Sequence, residues 1–236
     1  MHTVLITGAS TGIGLEFVRQ YAQDNYNVFA AYFPMAQTEE LQKVAQKFGH
    51  VHLIALDVTK ENQIIETALQ LKNQSIDILI NNAGICGNEE DLASITTDKM
   101  MQAFLVNAIA PMQVTRHFIS HIAQSDFKTV VSISSIMGSI ASNLAYPQEI
   151  ATSYGYRASK TALNMIMSNI AIDVYDQGMK VLLLHPGHVN TQVGAMFSGD
   201  MIDAATSVSG LRKVISEIPR SKEKLFYTYQ GELLSW

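Results

Sequence analysis

The chain has 236 residues, 47% of them hydrophobic and 16% charged, with a formal net charge of −5. That length suits one sizeable domain, expected over residues 1–236, and that composition supplies a large apolar core under a modest polar skin. An acidic balance with no basic block argues against nucleic acid as a partner. The single cysteine, Cys86, excludes an internal disulfide and fits a reducing compartment. No signal-peptide pattern opens the chain, and no apolar run nears the ~18 residues a bilayer needs. A cytoplasmic protein with no membrane partner is expected.

Residues 4–6 read as a short buried strand. Thr7-Gly8-Ala9-Ser10-Thr11-Gly12-Ile13-Gly14 follows, and residues 15–21 continue with helical periodicity. Strand, glycine-rich turn and helix is the layout in which backbone N–H groups and a helix N-terminus approach a phosphate. The spacing is T-G-x-x-x-G-x-G and not G-x-G-x-x-G. Three glycines and two hydroxyl side chains in the first turn set it apart from an ordinary tight turn.

Residues 28–32 read as the second strand. A dinucleotide site often has an acid at this strand's end for the ribose hydroxyls, or a nearby arginine for a 2′-phosphate. Here Tyr32-Phe33-Pro34 provides neither. A helix is expected over 38–48, with Leu41, Val44, Ala45 and Phe48 on one stripe. A third strand over 51–56 ends at Asp57-Val58-Thr59, and Ile64, Ile65, Ala68, Leu69 and Leu71 mark the next helix. The strand at 76–80 is closed by Asn81-Asn82-Ala83-Gly84. That is either a corner where something flat lies close or a plain Asn-Gly-type turn.

A long helix is expected over 97–123. Asn107 interrupts its apolar run, and a buried amide must find partners. It is either structural, with a kink near Pro111, or part of a proton route. His117 and His121 stand four apart, but no carboxylate or cysteine nearby completes a set of three or four ligands, so no metal is expected.

A fifth strand over 129–133 ends in Ser134-Ser135, and a loop through residue 150 leads into a helix that continues to Val174. Within it Tyr156 and Lys160 are four apart and share a face. A phenol titrates near pH ~10. An ammonium beside it favours the phenolate, which equips the pair to move a proton on or off a carbonyl or alcohol oxygen. Of the nine tyrosines, only Tyr156 has a lysine at the fourth following position.

The sixth strand, 180–184, is followed by His185-Pro186-Gly187-His188-Val189-Asn190-Thr191. Residues 192–206 resemble a lid, and a helix over 207–218 and a strand over 225–229 close the pattern. Strands alternate with helices, and runs such as 76–80 and 181–184 are continuously apolar. The expected class is therefore α/β: a three-layer, Rossmann-like, doubly wound domain of about seven parallel strands with helices on both faces. Ligands in such sheets sit at the carboxyl ends of the strands. The segments 7–14, 57–59, 81–84, 134–135 and 185–191 all fall there.

Thr7-Gly8-x-x-x-Gly12-Ile13-Gly14, Asp57-Val58, Asn81-Asn82-Ala83-Gly84, Ser135, Tyr156-x-x-x-Lys160 and Pro186-Gly187-x-Val189-x-Thr191, in that order, resemble the short-chain dehydrogenase/reductase family over essentially the whole chain. The run from Tyr154 to Lys160, Leu184-His185-Pro186-Gly187, and the stretch from Tyr229-Gln230-Gly231 to Trp236 are most similar to its sniffer and C-factor, carbonyl-reductase-like branch.

The resemblance implies NAD or NADP as cofactor, with preference undecided, and a small-molecule carbonyl or alcohol as substrate. It implies an oxidoreductase, most simply a carbonyl reductase; the alternative is a non-catalytic NAD(P)-binding sensor or signalling protein on the same fold. Ser135 would hydrogen-bond the substrate oxygen, and Tyr156 would exchange the proton with it. Lys160 would lower the phenol pKa and bind the nicotinamide ribose, and Asn107 would hold a water linking Lys160 to solvent. Gly8, Ser10, Thr11, Gly12 and Gly14 would line the pyrophosphate turn, with Ile13 beside the cofactor. Tyr32, Asp57 and Val58 would meet the adenosine end, and Asn82, Ala83 and Gly84 the adenosine-side ribose and turn. Pro186, Gly187, Val189 and Thr191 would place the nicotinamide amide.

Four departures from the pattern stand out. Tyr32 replaces the acid of NAD-preferring members, and Phe33 replaces the arginine with which the branch usually holds NADP. The gap between Ser135 and Tyr156 exceeds the usual one by about eight residues, an extension shared by that branch. His188 stands where the branch often has tryptophan. Family members commonly pair through the helices matching 97–123 and 154–176, so a homodimer or homotetramer is expected.

Overall fold

All five residues of β1 (Thr3–Thr7), TVLIT, are buried. A strand buried on both faces belongs in the middle of a parallel sheet. The computed structural model, which describes residues 1–86, 91–143, 153–191, 194 and 200–236, places it there. β2 (Asn27–Tyr32) lies on one side and β4 (Ile78–Asn81) on the other. With β3 (Val51–Ala55), β5 (Thr129–Ile133), β6 (Lys180–His185) and β7 (Phe226–Thr228), the seven-stranded order is β3-β2-β1-β4-β5-β6-β7. Every pairing is parallel. The order reverses between β1 and β4, so their carboxyl ends flank the crevice in which doubly wound sheets hold ligands.

Alternate residues of each strand feed two separate cores. Val4 and Ile6 pack with α1 (Gly12–Gln23), α2 (Glu39–Lys47) and α8 (Ala204–Glu217). Leu5 and Leu79 pack on the other face, with α3 (Glu61–Gln70), α5 (Ala110–Ala123) and α7 (Tyr154–Val174). Phe118 and Leu163 are fully buried there, each contributing roughly 1.5–3 kcal/mol through the area it removes from water.

The helix expected over 97–123 is broken into three parts. α4 (Thr97–Phe104) runs into a π-helical turn, Leu105–Ile109, and then into α5. The N–H of Ala110 reaches back five residues to the Leu105 carbonyl. Pro111 supplies the reason: it has no N–H to offer the Asn107 carbonyl four residues earlier, and its ring crowds that oxygen. Widening one turn relieves the clash without ending the helix.

The remaining differences are small. β4 starts at Ile78 and not at residue 76, and β7 is trimmed to three residues. The loop after Ser135 holds a 3-10 turn, Ile136–Gly138, and the short helix α6 (Ile140–Asn143). α8 begins three residues before its expected start, because Asp203 caps it by accepting the Thr206 N–H at 2.6 Å. Residues 204–206 thus belong to a helix and not to the lid. Residues 144–152 of the long loop, and 192, 193 and 195–199 of the expected lid, lie outside the described residues. No described helix is long and apolar enough to cross a membrane.

Candidate active site

The glycines of the turn between β1 and α1 let it pack closely against the segment after β4. Gly8 and Gly12 hold φ of +67° and +54°, the left-handed region. A Cβ on Gly8 would stand 2.7 Å from Ala83 Cα, and one on Gly14 only 2.1 Å from the Gly8 carbonyl oxygen. Thr11, at the N-cap of α1, makes no side-chain bond to the first turn. The first-turn N–H groups of α1 are therefore left without a side-chain cap, as an anion-binding helix end requires.

Asn82 and Thr7 lock this turn to β4. The Thr7 hydroxyl accepts the N–H groups of Asn82 and Ala83 at 3.1 and 3.2 Å. Asn82 Nδ2 donates to the carbonyls of Thr7 and Gly8, both at 3.0 Å. On the other side Ala9 N–H bonds to the Ala31 carbonyl at 2.9 Å, with Ser10 buried beside it. Beyond β2, Leu56 N–H bonds to the Tyr32 carbonyl at 2.8 Å, and Phe33 is 48% exposed. Asp57 Oδ1 accepts the Thr59 N–H at 3.0 Å and its hydroxyl at 2.7 Å, in a local turn, while Val58 packs on the core.

α7 presents Tyr156 and Lys160 on one face, as their spacing requires. Lys160 is 5% exposed; its Nζ donates to the Ile133 carbonyl at 2.8 Å and lies 5.7 Å from the Tyr156 ring centroid. Burial pushes the ammonium down to about 8. Ser135 caps the 3-10 turn, accepting the Met137 N–H at 3.2 Å, and its side chain lies beside the Tyr156 phenol. Burial pushes that phenol up and Cys86 adds to the rise, while the neighbouring Ser135 side chain pulls it down. The expected lowering of the phenol by Lys160 is therefore not what governs it here: burial is the larger effect, and the ammonium is engaged by Ile133.

Asn107 is fully buried in the π-turn. Its Oδ1 accepts the Ile85 N–H at 2.8 Å, and its Nδ2 donates to the Ile85 carbonyl at 2.8 Å and to the Ser159 hydroxyl at 3.0 Å. It clamps the segment after β4 to α7, with Gly84 between: a Cβ on Gly84 would stand 3.2 Å from Asn107 Oδ1 and 3.6 Å from Lys160 Nζ. Ser159, which also donates to the Tyr156 carbonyl at 2.8 Å, went unremarked in the sequence. Its position between the tyrosine and the lysine was the available signal.

The segment after β6 closes the cluster. Gly187 holds φ +82°, and a Cβ there would stand 3.0 Å from both Ile202 and Tyr229. Ser207 donates to the Pro186 carbonyl at 2.6 Å, and Val189 is buried and bridged to Ile202. Thr191 reaches the glycine turn: a Cβ on Gly12 would stand 3.2 Å from its methyl group. Burial pushes His185 down to about 4, keeping it neutral. His117 and His121 diverge, to Glu61 at 2.9 Å and to the Ala68 carbonyl at 3.0 Å. Among the described residues, no group of three or more His, Cys, Asp or Glu is placed to hold a metal.

The family profile described as short chain dehydrogenase matches residues 2–201. The C-signal protein of Myxococcus xanthus is 34% identical over 161 residues, spanning 68% of this chain and 93% of that protein. The NADPH-bound carbonyl reductase from chicken fatty liver superposes with a TM-score of 0.91 at 30% identity, covering 100% of this chain and 99% of that one. The carbonyl reductase Sniffer of D. melanogaster superposes at 0.88 and 25% identity, covering 100% of each chain.

Proposed function

Because this chain belongs to the short-chain dehydrogenase family, in its sniffer- and C-factor-like branch, we propose that it is an NAD(P)-dependent carbonyl reductase. The observation that carries the reading is the Ser135 side chain beside the Tyr156 phenol, with Lys160 Nζ 5.7 Å from the same ring.

A dinucleotide fits the residues present, since the turn has no side chain at Gly8, Gly12 and Gly14 and opens α1, whose first turn has no side-chain cap. Ser10, Thr11 and Ile13 complete that end. Tyr32, Asp57 and Val58 would meet the adenosine, and Asn82, Ala83 and Gly84 the floor between the two halves. Pro186, Gly187, Val189 and Thr191 would hold the nicotinamide amide, with Tyr156 and Lys160 at its ribose. When bound, that cofactor supplies the hydride.

This chain's residues supply the rest. Ser135 fixes the substrate oxygen by hydrogen bonding, and the Tyr156 hydroxyl delivers a proton to it. A phenol held neutral by burial is a competent donor in this direction. Lys160, with a pKa of about 8, is largely charged at neutral pH and favours the phenolate left behind. Asn107 keeps the Gly84–Cys86 segment and α7 at fixed separation, beside the proton route expected through Lys160.

The chicken and Pseudomonas aeruginosa carbonyl reductases hold NADPH and NADP respectively. With neither an acid at 32 nor an arginine at 33, this chain's preference is a matter for titration. The same reading takes residues 1–236 as one domain with a lid over about 192–206, working in the cytoplasm on a small carbonyl or alcohol. It includes a homodimer or homotetramer, supported by exposed Met101, Leu105 and Ile109 on one helix and Met165 and Ile172 on its neighbour.

The test is turnover of NADH or NADPH with a panel of aldehydes and ketones. Tyr156→Phe is expected to lower kcat by about 10²–10⁴-fold, and unchanged turnover would refute the role. A non-catalytic sensor is the second reading, favoured by the likeness to C-signal. Tight dinucleotide binding with no turnover of any carbonyl is the outcome that would select it.

A further inference from the structure

Asn164 lies one helical turn past Lys160 on α7 and is buried. Its amide addresses the turn that follows β5. Oδ1 accepts the Ser134 hydroxyl at 2.6 Å, and Nδ2 donates to the Gly138 carbonyl at 3.3 Å. Ser134 and Gly138 bracket the turn whose first residue is Ser135. The Gly138 carbonyl also accepts the Thr161 hydroxyl at 3.0 Å. Gly138 itself lies flat on the helix: a Cβ there would stand 2.8 Å from the Lys160 carbonyl carbon.

The turn is a stiff unit. Gly138 N–H returns to the Ser135 carbonyl at 2.8 Å, and Ser139 N–H to the Ile136 carbonyl at 3.0 Å. Holding both ends of such a unit fixes everything between them. We propose that Asn164 is a positioning residue, its one amide latching the Ser135 turn to the helix that carries Tyr156 and so setting the hydroxyl against the phenol. A buried amide is costly unless paired, and an apolar residue would pack this site more simply. Both halves of this amide are instead committed to one turn. Misplacing a reacting group by about 1 Å costs on the order of 10²-fold in rate, so the latch bears on chemistry as well as on stability.

The kinetic consequence rests on the carbonyl-reductase reading; the latch itself does not. The experiment compares Asn164→Ala and the milder Ser134→Ala in wild-type and Ser135→Ala backgrounds. Three quantities are read: kcat and KM with an aldehyde, NADPH affinity by fluorescence, and amide hydrogen exchange. Asn164→Ala is expected to lower kcat by about 10–100-fold in the wild-type background and by about twofold or less once Ser135 is gone, because it acts through that residue. NADPH affinity stays within about twofold. Exchange at Gly138 and Ser139 speeds up by about tenfold or more, with Val131 in β5 unchanged. Ser134→Ala moves each readout the same way by less, and carries the test if Asn164→Ala does not fold. Equal kinetic losses in both backgrounds, or unchanged exchange at Gly138 and Ser139, overturn the proposal. Exchange is read without turnover, so it decides the latch even if no carbonyl in the panel is reduced, a failure that counts against the enzymatic reading alone.

Discussion

Lys160 and Ile133 are joined by a 2.8 Å hydrogen bond from the buried ammonium to the last carbonyl of β5. The bond holds the lysine in place, yet burial still moves its pKa down to about 8. An unfolded lysine titrates near ~10.4. Between these two values the unfolded chain binds the proton and the folded chain does not, so the site destabilises the fold fully below about 8 and that cost is relieved as pH rises from about 8 to ~10.4. Lys160→Met lacks the effect. In urea melts at pH 7 and pH 10.5, wild type is expected to gain on Lys160→Met by on the order of 2–3 kcal/mol. A constant gap between the two proteins would show that the ammonium is not destabilised.

The glycine turn makes a contrasting pair of substitutions. Gly14→Ala forces a methyl to within 2.1 Å of a backbone oxygen, and is expected to cost about 3 kcal/mol or more and to abolish dinucleotide binding. Gly49→Ala meets nothing within 4 Å and should be neutral or stabilising by about 0.4–1 kcal/mol through the unfolded chain. Thermal melts of both proteins check this, and a tolerated Gly14→Ala would mean the turn is looser than described.

At the end of β2, Tyr32→Asp places an acceptor where ribose hydroxyls are held, and Phe33→Arg places a cation where a 2′-phosphate would lie. The first is expected to shift the ratio of NADH to NADPH affinity by about tenfold toward NADH, the second by about tenfold toward NADPH. Fluorescence titration with each dinucleotide reads both. If neither ratio moves, the adenosine end does not reach these positions.

Asn107→Leu conserves volume but strands the N–H and carbonyl of Ile85. Unpaired buried backbone groups cost about 1–3 kcal/mol each, so a loss of roughly 2–4 kcal/mol is expected in denaturant melts. Activity should fall with it, because the same amide braces Ser159 beside Lys160. Wild-type stability in this variant would mean that the clamp is not formed.

The sheet was legible because its central strands are buried on both faces: runs such as Ile78, Leu79 and Ile80 need no partner to be read. The crevice was legible because glycine is the residue that fits Gly8 and Gly14. Other features depend on contacts far apart in sequence. Asn164 meets Ser134 and Gly138 across 30 and 26 residues, and periodicity places it on an apolar helix without hinting at either. Asn82 reads as a ligand contact, yet its amide is engaged by the Thr7 and Gly8 carbonyls. Spacing puts Lys160 on the face of Tyr156, but how far burial outweighs charge there depends on the layers packed above. α8 starts three residues earlier than periodicity places it, because Asp203 serves as its cap.

The widened turn at Leu105–Ile109 has a consequence for the length of this segment. It holds one residue more than an α-helical turn, so all that follows is rotated about 100° relative to an unbroken rod. That phase offset lets Asn107 look toward α7 while Phe118 and Ile122 look into the sheet. Removing a single residue there would bring back the Pro111 clash and aim one of the two faces at the wrong neighbour.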